Sequence, residues 1–274
     1  MADVSDPAGL LAAYDAEVRS TFAERVPPGW ALSQDGPLTR CLTAQGGFAM
    51  AATSLSELSD DELAALVDRT VAFYAERDRR FEWKTYDHDR PDLGAVLREH
   101  GLEPEDHEAL VIGTARGLAT DAAVPDGLRL RTVDSRADLD RVAAMESEVW
   151  GEDWSWLADD LVERIADPHA PATVYVVEDG DRVVSAAWLA PTVGTRFAGL
   201  WGGSTLADYR GRGLYRALVA RRASDAVIAG YSLLQVDASD DSRPILERLG
   251  LHVVGGTTPY IWTHHSRRDA APAG

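Results

Sequence analysis

The stretch GSTLADYRGRGLYRALVARR, Gly203 to Arg222, decides how this chain is read. An apolar run, Phe197 to Leu206, leads into a loop of arginine and glycine, after which Leu214, Ala217 and Leu218 take helical spacing. That pattern predicts a strand, a tight loop and a helix N-terminus. Free N–H groups and the positive end of the helix dipole favour a bound phosphate at such a point. Gly211 and Gly213 lack a Cβ, so backbone can approach a pyrophosphate closely, and Arg210, Arg212 and Arg216 add charge-assisted bonds. The stretch reads as an anion cradle; taken alone, it reads equally as a surface loop with scattered arginines.

Outward from the cradle, the chain repeats itself. Ala65-Leu66-Val67-Asp68-Arg69 matches Ala217-Leu218-Val219-Ala220-Arg221 at an offset of 152 positions, and the same offset lays Phe81–Asp87 on Leu233–Ser239. Leu97 to Leu102 then matches Leu246 to Leu251 at an offset of 149, with Ile112 on Ile261. Helix, strand, short helix ending in Gly-Leu, then strand thus occurs twice, which predicts duplicated α/β domains at 1–116 and 127–265, divided by the small, polar stretch Arg116 to Gly127. Where the second half has Arg210 to Gly213, the first has Leu58, Ser59, Asp60 and Asp61. Those acids suit a helix cap and repel a phosphate.

Patterning elsewhere predicts a helix over residues 7–25, strands within 31–53 around turns at Asp35-Gly36 and Gly46-Gly47, and a helix from Ser59 to Arg77. In the second half it predicts a strand over 128–133, helices over 135–149 and 154–165, and strands over 173–177 and 182–190.

Composition limits the function classes. The 274 residues, 45% hydrophobic, are enough for two cores, and no window has the apolar length of a membrane span. The start MADVSDPAG has neither a basic segment nor an apolar signal core, so a cytoplasmic setting without a membrane partner is expected. Cys41 is the single cysteine, which rules out an internal disulfide and a Cys-based zinc site. A net charge of -18 argues against nucleic acid as a partner and tolerates a cationic substrate. Asp87-His88-Asp89 and His264-His265 lack a second ligand cluster, and no metal is assigned.

The order strand, two helices, three strands, loop, helix, strand, short helix, strand resembles the GNAT superfamily of N-acetyltransferases. The family's pyrophosphate-loop pattern is met by Arg210, Gly211, Arg212, Gly213 and Leu214, with Tyr215 departing at the last position. LERLGL, Leu246 to Leu251, is similar to the segment before the family's last strands, with leucine where Tyr and Phe are common. The resemblance covers about residues 127–263, and the first half looks like the degenerate partner of tandem members. It implies two GNAT-like domains, each a mixed, mostly antiparallel sheet flanked by helices. It implies acetyl-CoA as cosubstrate, its arm beside Gly203, Ser204 and Thr205, its pyrophosphate on Gly211 to Arg216, and Ser239 where many members have a cofactor-touching Asn.

Direct acetyl transfer to an amine in a ternary complex needs a polarised thioester carbonyl, a base for the amine proton and an acid for the leaving thiolate. The family's acid on the cradle strand is missing from Arg196 to Thr205. Glu146, Glu148, Glu152, Asp153, Asp159 and Asp160, interleaved with Trp150, Trp154 and Trp156, suit a cation, and Glu152 and Asp153 are the base candidates. The same residues also read as core tryptophans and a solvated acidic face. Tyr260 and Ser242 are candidates for the acid; both also read as packing and capping groups. The expected acceptor is a small-molecule amine and the expected assembly a monomer or homodimer. A non-catalytic acyl-CoA-binding module is the alternative from another class, and a dinucleotide-binding fold is weighed against the cradle because Asp237 follows it at the end of the next strand.

Overall fold

In the first half, the capping box at Ser59 and the fully buried tyrosine at Tyr74 explain why a helix and the sheet beneath it form where they do. Ser59 accepts from the Glu62 N–H while the Glu62 carboxylate accepts from the Ser59 N–H, starting the helix, and the Tyr74 hydroxyl donates to the carbonyls of Cys41 and Phe48. The computed structural model describes residues 6–26, 29–43, 46–121, 123–168 and 170–263. His264, His265 and the end of the domain expected at 127–265 lie outside the described residues.

The elements of the first half are α1 (Pro7–Tyr14), β1 (Ala31–Asp35), β2 (Leu38–Leu42), β3 (Gly47–Ala51), α2 (Asp60–Ala75), β4 (Phe81–Tyr86), α3 (Leu93–Glu99), β5 (Glu103–Pro104) and β6 (Glu108–Thr114). Then follow α4 (Ala115–Leu118), β7 (Leu128–Val133), α5 (Arg136–Trp150), α6 (Leu157–Ile165), β8 (Thr173–Asp179), β9 (Arg182–Pro191) and β10 (Phe197–Thr205). The chain closes with α7 (Leu214–Ile228), β11 (Leu233–Ala238), α8 (Arg243–Arg248) and β12 (His252–Trp262). The helix expected over 7–25 is interrupted: α1 gives way to a π turn at Asp15–Arg19. That wider turn ends on Arg19, which is buried and donates to the carbonyls of Ala51 and Thr53 and to Asp89. Satisfying a buried guanidinium outweighs regular helix geometry there.

The chain divides into two compact units, and neither is one half of the sequence: one holds residues up to 18 with 109–254, the other 19–108 with residues from 255. In the first unit β6 is paired antiparallel to β11, and the sheet runs β6-β11-β10-β9-β8-β7. In the second, β12 from Thr257 is antiparallel to β4, and the sheet runs β1-β2-β3-β4-β12 with β5 on β12. Each half of the sequence therefore gives its last strand to the sheet built from the other. Each unit also has one parallel pair, β3 with β4 and β10 with β11, inside an otherwise antiparallel sheet.

The first unit owes its core to runs that are apolar on both faces. Val174 to Val177 and Val183 to Leu189 are buried throughout, covered by α5 and α6 and by α7. The second unit packs Leu63, Leu66, Val67, Phe81, Trp83, Leu93 and Leu97 into its own core. Among the described residues, no helix is long and apolar enough to cross a membrane.

Candidate functional site

The site is built where two parallel strands part. β10 is laddered to β11 at Phe197, Ala198 and Gly199, opposite Leu233, Leu234 and Gln235, and the described pairing goes no further. Beyond that point β11 stays with β6 as far as Ala238, while β10 stays with β9 as far as Thr205. Strands that part in this way can take an extended ligand between them. β10 also carries a bulge: Trp201 is opposite Trp188, yet Ser204 is opposite Ala186. Gly202 sits in the bulge at φ +60, and a Cβ there would fall 1.8 Å from the Trp188 ring, so only glycine fits.

At the end of β10, a 3-10 turn at Ala207–Tyr209 leads into the loop predicted as an anion cradle. Gly211 and Gly213 have φ of +72 and +81, a conformation glycine adopts without strain. α7 starts after Gly213 with no side-chain cap, so its first N–H groups keep their capacity for an anion. Arg210 donates to the Thr205 carbonyl, and the Arg212 guanidinium lies 5.1 Å from the Tyr209 ring centroid. Among the described residues none of Arg210, Arg212 and Arg216 is paired with a carboxylate, although thirteen other arginines are. The corresponding end of α2 differs throughout: Glu62 fills its N-terminus and Asp60 is paired with Arg90. These features fit a pyrophosphate at Gly211 to Arg216 and repel one at α2.

The acids before the cradle separate by environment. Glu148 pairs with Arg182, Asp159 with Arg136 and Asp160 with Arg164. Glu152 and Asp153 are exposed, and Asp153 accepts from the Ser155 N–H, which holds its carboxyl below the usual range. Glu146 is the exception. It is 1% exposed, accepts from the Trp150 indole N–H at 2.9 Å, and has an Oε1 with no hydrogen-bond partner among the described residues. Burial pushes its pKa up to about 7, against the downward pull of Ser204 and Trp150. A carboxylate poised near neutrality beside the bulge strand matches a general base. Sequence reasoning had Glu146 in the set of acids but preferred Glu152 and Asp153. The missed signal is the i, i+4 spacing of Glu146 and Trp150 on the buried side of α5.

The remaining predicted residues lie as follows. Ser204 is buried and its carbonyl accepts from the Ser185 hydroxyl, which also meets the Thr205 hydroxyl at 2.8 Å. Gly203 lies under the Tyr215 ring. Burial pushes the Tyr215 phenol up, while Arg222 and the Ser242 side chain pull it down. Ser239 and Ser242 share a hydroxyl contact of 3.2 Å at the end of β11. Gly203, Tyr215 and Ser242 are therefore brought together. Tyr260 is in the other unit, buried on β12 opposite Trp83, with the Arg98 guanidinium 5.5 Å from its ring centroid. Asp237 is paired across the sheet with Leu110 on β6. Among the described residues, no group of three or more His, Cys, Asp or Glu side chains is arranged to hold a metal ion.

No protein-family model matches the chain, and no curated protein matches it. Solved structures do. A GCN5-related N-acetyltransferase from Kribbella flavida is 19% identical with a TM-score of 0.65, covering 89% of this chain and 95% of its own. A tandem GNAT protein from the clavulanic acid biosynthesis pathway is 16% identical with a TM-score of 0.63, covering 92% of both chains. A GCN5-related N-acetyltransferase from Sphaerobacter thermophilus is 15% identical with a TM-score of 0.59, covering 82% of this chain and 76% of its own. The parted strands, the glycine loop and these likenesses together identify the fold: this chain has the tandem fold of the GNAT N-acetyltransferases.

Proposed function

We propose that this protein is an acetyl-CoA-dependent N-acetyltransferase acting on the primary amine of a small molecule by direct transfer in a ternary complex. The observation that carries the reading is the parting of β10 from β11 directly before an uncapped helix N-terminus with three arginines that no carboxylate among the described residues pairs. When bound, acetyl-CoA supplies an acetyl group activated as a thioester. Gly211 to Arg216 would hold its pyrophosphate, and Gly203 to Thr205 its arm.

The chain's own residues supply the rest. An alkyl amine with a pKa of about 10.4 arrives protonated, and Glu146 takes that proton, since its pKa of about 7 leaves it half ionised at neutral pH. Tyr215 and Ser242, side by side next to Gly203, hold a proton for the departing sulfur. Trp150 and Trp156, both exposed next to the acidic turn at Glu152 and Asp153, suit a cationic acceptor. The same reading has the enzyme in the cytoplasm, and the charge of -18 disfavours a nucleic-acid partner.

Calorimetric titration of acetyl-CoA into the wild type and Gly213→Asp tests it. The variant places a carboxylate and a strained backbone at φ +81, so saturable binding by the wild type should weaken by at least about tenfold. A wild type that binds no acetyl-CoA refutes the proposal.

A further inference from the structure

Arg222 is a fully buried cation in α7 with no carboxylate partner among the described residues. Burial without an ion pair is expensive for a guanidinium, and it depresses the pKa of this one to about 10. Its hydrogen bonds show what holds it in place. Nε donates to the Leu218 carbonyl one turn back, and Nη1 donates to the carbonyls of Trp188 at 3.3 Å and Trp201 at 3.1 Å. Trp188 and Trp201 are opposite one another on β9 and β10, and they are the last regular pair before the bulge. The guanidinium is a clamp across the two strands at the point where β10 leaves its register.

The other unit is an internal control. Thr70 stands at the position of Arg222 in the repeat and satisfies itself by donating to the Leu66 carbonyl. There β3 keeps regular register with β2 from Leu42 to Leu38, and stays paired with β4 through Met50. A helix on this sheet thus folds without a buried cation, and where the cation is missing so is the bulge.

We infer that Arg222 is a positioning residue, which holds the bulge at Gly202 and Gly203 in the geometry that receives the acyl end of the thioester. The inference rests on the acetyl-CoA reading above. It assigns the cost of burying Arg222 to the site rather than to the fold, since Thr70 meets the needs of the fold alone.

Hydrogen–deuterium exchange with acetyl-CoA as the probe tests this without an acceptor amine. In the wild type, acetyl-CoA should slow exchange by at least about tenfold both in the loop, Gly211 to Arg216, and in the bulge, Gly202 to Thr205. In Arg222→Lys, which keeps a cation but is one bond shorter and lacks the Nε donor that anchors the group on the Leu218 carbonyl, loop protection should persist and bulge protection fall to within about twofold of the free protein. Arg222→Met, run alongside, should behave the same way. Equal bulge protection in wild type and Arg222→Lys overturns the inference. So does loss of loop protection together with bulge protection, which would give Arg222 a role in the fold as a whole, and so does a wild type protected in the loop alone. No protection anywhere in the wild type refutes the acetyl-CoA reading itself, and the inference with it.

Discussion

Glu146→Gln should make this protein more stable at alkaline pH and far less active at the same time. The Glu146 pKa is raised from 4.5 to about 7 in the folded chain. A raised carboxyl pKa means that the folded state holds its proton between those values while the unfolded chain releases it, so stability falls as pH rises from about 4.5 to 7 and stays reduced above. At 1.36 kcal/mol per unit, the full penalty is about 3 kcal/mol. Glutamine carries no charge and removes it. Its amide keeps an acceptor for the Trp150 indole but puts an N–H₂ group where Oε1 has no partner, a cost of roughly 1 to 3 kcal/mol that does not vary with pH. The decisive quantity is therefore the change in the difference between the two proteins. Urea unfolding at pH 5 and pH 8.5 should show Glu146→Gln gaining roughly 2 to 3 kcal/mol relative to wild type across that interval. Parallel pH profiles would refute the reasoning, because they would mean that Glu146 is ionised at its ordinary pH and is no base poised near neutrality.

Other outcomes follow from the same structure. Acetyl transfer to an amine should rise with pH through about 7 in the wild type, and Glu146→Gln should lower kcat by about 100-fold or more, whereas Glu152→Gln and Asp153→Asn should stay within about threefold. Gly202→Ala drives a Cβ into the Trp188 ring at a positive φ and should cost about 2 to 4 kcal/mol in a denaturant titration. Arg131 bonds both Asp138 and Glu178 and, with Arg141, holds these carboxyls below their usual range. Arg131→Met should cost about 2 kcal/mol at pH 7, and the deficit should shrink as the pH falls through the depressed carboxyl pKa values; an unchanged deficit at pH 3 would contradict it.

The cradle was legible in the sequence because its requirements are local. A loop that needs positive φ at Gly211 and Gly213 shows them as glycines, and arginines near a helix start appear in order along the chain. The repeat was legible for the same reason, since α2 and α7, or β4 and β11, keep their patterns wherever they pack. Strand pairing is not local. That β6 joins β11 while β12 joins β4 is settled by which edges meet, and no periodicity in either strand encodes its neighbour. The proposed base was equally hidden: Glu146, Glu152 and Asp153 are three carboxylates in one acidic stretch, and only burial on α5 raises the pKa of the first, because desolvation is a property of surroundings the chain supplies from β9, β10 and Trp150. The same holds for Arg222, one of several arginines in a helix, until packing puts its guanidinium on the carbonyls of Trp188 and Trp201. The sequence by itself determined the elements, the glycine loop and the duplication; the tertiary structure decided which strands share a sheet and which charges lose their water, because both depend on contacts between residues far apart in the chain.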